Sequence, residues 1–119
     1  MMVRPLVLAA AAGLVLATPA AAQQQATEQE NLDCAIWATY NLGMAGNEAM
    51  QSGLAVAVAW FIGLYEGQAG KNIDAAMAAR TAEMDEAMIN ALTMPCSGRF
   101  LDFADRVSKR GKGLRAGGQ

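Results

Sequence analysis

Leu54, Val58, Phe61, Ile62 and Tyr65 recur at four, seven, eight and eleven residues, which is one face of an α-helix. A second face of the same segment carries Ala55, Ala59, Gly63 and Gly67 at four-residue intervals, where missing side-chain bulk forms a groove that lets another helix approach. Val56, Trp60 and Leu64 fill much of the remainder, so the uncharged run 50–65 is apolar nearly all round and is expected to be a buried central helix. A membrane span needs about 20 apolar residues. This run is shorter and contains Gln51 and Ser52, so no transmembrane anchor is expected.

The flanking patterns predict more helices and no strand. Thr27-Glu28-Gln29-Glu30 matches a capping box, and a first helix follows with Leu32, Ile36, Thr39, Tyr40 and Gly43 on one face and Cys34 and Trp37 beside it. Gly43 and Gly46 stop it, and Asn47-Glu48 starts the central helix, which runs to about Gln68. Asn72 can cap a third segment in which Ile73, Met77, Met84, Met88 and Leu92 keep helical spacing as far as Pro95. Thr81 could cap a fresh start, so 72–93 reads as one helix or two. The methionines fill a core or form an adaptable surface, and the pattern leaves both open. Ser97 can cap a last helix with Phe100, Phe103, Ala104, Val107, Gly111 and Leu114 inward and Asp102–Arg106 and Asp105–Lys109 pairs outward. The expectation is an all-α bundle of about four helices around the apolar central one. A second copy of the chain could also cover that helix, so a homodimer is open.

The N-terminus adds a compartment. Arg4, the apolar run 6–17, Pro19 and the small residues before Gln23 read as a secretory signal peptide over 1–22, cleaved near Ala22. That leaves one helical domain over 23–115 and a disordered tail over 116–119, in a protein expected in the periplasm or outside the cell. Cys34 and Cys96 are the two cysteines of the chain, and an oxidising compartment predicts a disulfide between them, tying the first helix to the start of the last.

Charge sharpens the reading by exclusion. Of nine basic residues Arg4 falls in the signal peptide, so eight bases face eleven acids, a net charge of −3. The imbalance is segregated: 28–86 carries nine acids against Lys71 and Arg80, while Arg106, Lys109, Arg110, Lys112 and Arg115 form a basic patch near the end. In the periplasm that patch does not imply nucleic acid. With no histidine there is no Ser-His-Asp or Cys-His constellation and no His-based zinc site; Ser108 and Lys109 are adjacent and do not face each other. Glu83 and Glu86, with Asp85 beside them, read as a solvated acidic surface. Neither an enzyme nor a cofactor is expected. Glu66 stands out as a candidate pH-responsive carboxylate, because it lies in the last turn of an apolar helix, where the dipole disfavours an anion. Trp60 could wall a small-ligand site in the Ala55–Ala59–Gly63–Gly67 groove.

Residues 60–70, WFIGLYEGQAG, followed by a cysteine before a basic final helix, resemble a group of small uncharacterised two-cysteine secreted proteins of alphaproteobacteria. The overall plan is similar to the periplasmic acid-stress chaperones of the HdeA type and, more loosely, to helical immunity proteins of interbacterial toxin systems. The first likeness implies client binding when acid loosens the helices; the second implies one stoichiometric partner. Both point to a non-enzymatic protein that binds protein partners or clients in the envelope.

Overall fold

The computed structural model describes residues 25–118, and among these it is all-α, with five helices and no strand. The expected signal peptide, its cleavage near Ala22 and Gln119 of the expected tail lie outside the described residues. The first helix, α1, spans Glu28–Met44. Its cap is Thr27, whose Oγ1 accepts from the Glu30 amide at 3.1 Å and lies 3.2 Å from the Glu30 carboxylate. The second, α2, spans Glu48–Ala69. Asn47 caps it by accepting from the Met50 amide at 2.9 Å, and Gly70 ends it at φ 66°, a left-handed turn that favours glycine.

The central helix is α1, where the sequence pattern pointed to α2. Leu32, Cys34, Ala35, Ile36, Trp37 and Ala38 are all buried, and α1 packs against each of the other four helices. On α2 burial is confined to Ala57, Phe61 and Tyr65, with Leu54, Val58 and Ile62 half-buried beside them. The driving force scales with apolar area removed from water. A face of alanine and glycine therefore gains little from being covered, whereas Leu32, Ile36 and Trp37 gain much. Trp37 also needs a partner for its ring N–H, which donates to Thr93 Oγ1 at 3.1 Å.

The segment left open as one helix or two is two: α3, Asp74–Thr81, and α4, Glu86–Ala91. Asn72 Oδ1 accepts from the Asp74 amide at 2.7 Å at the start of α3. The new start at α4 is capped by Asp85, which accepts from the Met88 amide at 2.8 Å, while the Thr81 hydroxyl donates back to Met77 O. This break resets the helical phase and divides the methionine stripe. Met77 and Met84 pack on the core, Ile89 takes the next inward position, and Met88 turns outward.

The last helix, α5, spans Thr93–Gly117 and so begins before Pro95, where an element was expected to end. Proline is tolerated there because first-turn amides have no intrahelical partner. Ser97 is accordingly inside the helix and donates to Thr93 O instead of capping. Cys34 and Cys96 are bonded, their Cα atoms 5.3 Å apart, which ties α1 to the first turn of α5. The expected inner face of α5 is half right. Phe100 and Phe103 pack inward, but Val107 and Leu114 are exposed, and the helix runs on to Gly117, into the stretch read as a tail.

Candidate functional site

The outward side of α2 is uncharged from Met50 to Tyr65. Ser52, Ala55, Val56, Ala59, Gly63 and Gly67 share it, and all six are exposed. A Cβ placed at Gly63 or Gly67 meets nothing within 4 Å, so none of the described helices packs on this side of α2. By length and composition α2 could cross a membrane, and 17% of its most apolar window is buried. Trp60 does not wall this groove. Its ring stacks on Phe103 with centroids 4.5 Å apart and lies 4.9 Å from Phe61, so it is turned toward α5.

Behind that aromatic cluster lies a polar node that the sequence reading missed. The Arg99 guanidinium sits over the Phe61 ring at 5.2 Å and the Trp60 ring at 5.8 Å, and donates to Asn31 Oδ1 and, at 3.5 Å, to Cys34 Sγ. Asn31, 2% exposed, passes its own amide protons to Gln68 Oε1, and Gln68 Nε2 donates to Ala26 O at 2.7 Å. Burial pulls Arg99 below the usual arginine value, with Glu30 acting in the other direction. No carboxylate among the described residues lies within ion-pair distance of Arg99. The available sequence signal was Asn31 next to Leu32 on the inward side of α1, a polar residue in a core position that needs a partner.

The acids serve as braces. Glu66 faces neither open solvent nor Lys71: its Oε2 accepts from the Ile73 amide at 3.0 Å and so fastens the α2–α3 turn. Asp33 and Arg80 form a two-pronged pair, Nε to Oδ1 at 2.8 Å and Nη2 to Oδ2 at 3.1 Å, which holds α3 on α1, with Glu83 on Arg80 at 3.2 Å. Hydrogen bonding to Asp33 first, and Glu83 second, raises Arg80 above the usual arginine range. A raised base stays charged across the neutral range, so the brace is complete there. Asp33→Asn is expected to lower stability by about 1–2 kcal/mol at neutral pH, because one side of the two-pronged pair loses its charge. Urea titrations of both proteins at neutral pH check this. Glu83, in the turn after α3, and Glu86, in the first turn of α4, act separately, the first as a partner of Arg80.

The basic patch lies on the free length of α5. Arg106 and Lys109 make the expected pairs with Asp102, at 3.7 Å, and Asp105, at 2.9 Å. Arg110, Lys112 and Arg115 are exposed and have no ion-pair partner among the described residues. No group of three metal-ligating side chains comes together among the described residues. No family model, curated protein or solved structure matches the chain.

Proposed function

We propose that this is a non-enzymatic envelope protein that binds other polypeptides through the outward face of α2, with a chaperone-like role under envelope stress. The observation that carries the reading is the open groove of Ala55, Ala59, Gly63 and Gly67. It is uncharged over several helical turns and accessible in the folded chain. Exposed Met44 and Met50, near the α1–α2 corner, add adaptable side chains of the kind that suits changing clients. The disulfide supports placement in an oxidising compartment after signal-peptide removal, and it keeps α1 and α5 together if acid loosens the rest.

Acid acts on this molecule at identifiable points. Three of its contacts, the α1–α3 brace, the α2–α3 fastening and the α4 cap, depend on a carboxylate, while the Arg80 guanidinium, raised by its partners, keeps its charge. In this reading α3 and α4 detach and extend the apolar surface already open on α2, and Glu66 takes part by releasing Ile73.

The test is suppression of client aggregation by the oxidised mature protein at neutral and acid pH, beside an Ala59→Glu variant. Wild type is expected to suppress aggregation, more strongly in acid, and the variant to lose most of the effect at neutral pH with its helical content unchanged. Equal activity of the two proteins would remove α2 from the reading. Inactivity toward every client, together with a single stoichiometric partner bound at all pH values, would favour an immunity-type module.

A further inference from the structure

The free length of α5, residues 105–117, is exposed on every side, yet it is not uniformly polar. The stripe that begins with Phe100 and Phe103 under Trp60 continues outward through Val107, Gly111 and Leu114, with Arg110 and Arg115 along its two borders. Val107 is 52% and Leu114 71% exposed. An isolated helical arm of this length, interrupted by Gly111 and Gly113, is marginal in water and needs a surface to lie on. The described residues offer none beyond Phe103.

The same chain carries the complementary surface on α2. There a ridge such as Val107–Leu114 finds the small-residue face of Ala55, Ala59, Gly63 and Gly67, with the exposed Glu48 at the N-terminal end of the same helix. Arm and body also carry net charges of opposite sign. The arm carries five bases against Asp105, and the body over 28–86 carries nine acids against Lys71 and Arg80. We propose that the α5 arm of one copy lies in the α2 groove of a second copy, and reciprocally, giving a two-fold dimer. This rests on the reading of the α2 face as a protein-binding surface and names one occupant of it.

Sedimentation of the oxidised mature protein over the micromolar range tests the proposal, with three variants alongside. Gly63→Leu points into open space in the single chain, so it leaves the fold intact, with a thermal midpoint no lower than wild type, while filling the groove. Arg110→Glu with Arg115→Glu reverses the arm's border charges, and a stop after Ala104 removes the arm. Wild type is expected to dimerise, with a dissociation constant that rises at least about tenfold from low to high salt and helicity that falls on dilution. All three variants are expected to be monomeric over the same range. A wild type that stays monomeric at the highest concentration in low salt, or a dimer that survives loss of the arm or filling of the groove, overturns the proposal. So does a monomeric wild type that binds phosphatidylglycerol vesicles through its arm. Client binding by the arm-deleted protein separates the two ideas: if it persists while no dimer is found, the α2 surface stands and the second copy as its occupant falls.

Discussion

Reduction of the Cys34–Cys96 bond is expected to remove about 4 kcal/mol of stability, the largest single effect in the molecule. The two cysteines are 62 residues apart, and in the chain-entropy model closing a loop of that size restricts the unfolded ensemble by roughly this amount. A domain of this size has roughly 5–14 kcal/mol in total, so the loss is a large share. Few other contacts hold the first turns of α5: the Trp37–Thr93 hydrogen bond, the Arg99–Asn31 bond and the Trp60–Phe103 stack. The urea midpoint of Cys34→Ser, or of wild type in reductant, should therefore fall sharply, with the thermal midpoint lowered by roughly 15–30 °C. A reduced protein with an unchanged midpoint would mean that α5 is anchored by something other than these contacts.

Arg99→Ala follows as the second largest effect, at about 2–3 kcal/mol. The truncation leaves Asn31 Oδ1, on a residue 2% exposed, without its donor, and it removes the cation from the Phe61 and Trp60 rings. A buried polar atom left unpaired accounts for roughly 1–3 kcal/mol and a partly desolvated cation–ring contact for roughly 0.5–2. Arg99→Lys should restore only part of the loss, because an ammonium cannot keep the planar contact with the rings and the bond to Asn31 together. Urea titration followed by the near-ultraviolet signal of the two tryptophans measures the combined loss. If alanine is tolerated with no change, Gln68 or water has replaced the donor and the node is not a structural centre.

These two sites show how legible the sequence was. The disulfide could be read because only two cysteines exist and the compartment was signalled separately, and both main caps could be read because Thr27 and Asn47 are local chemistry. The node around Arg99 could not, since it joins residues 31, 68 and 99 from three helices, and spacing reports nothing of such distances. The same limit explains the exchange of α1 and α2. Periodicity shows that a face is apolar; whether it meets protein or water depends on how much area it offers, and a stripe of alanine and glycine offers little. The Asp33–Arg80 pair leaves no trace in the spacing for the same reason, since its members are 47 residues apart on two helices. On α5 the inner face expected through Leu114 ends near Phe103, because none of the described elements reaches Val107 or Leu114 to cover them.

The central claim is that the outward face of α2 is where this protein meets other polypeptides. An amide-shift titration of the isotope-labelled, oxidised protein with an unfolded client tests it most directly. Shifts concentrated on Ser52, Val56, Ala59, Gly63 and Gly67, with α1 undisturbed, are the expected result. Shifts confined to α3 and α4, or no shifts while the client still binds, would contradict it.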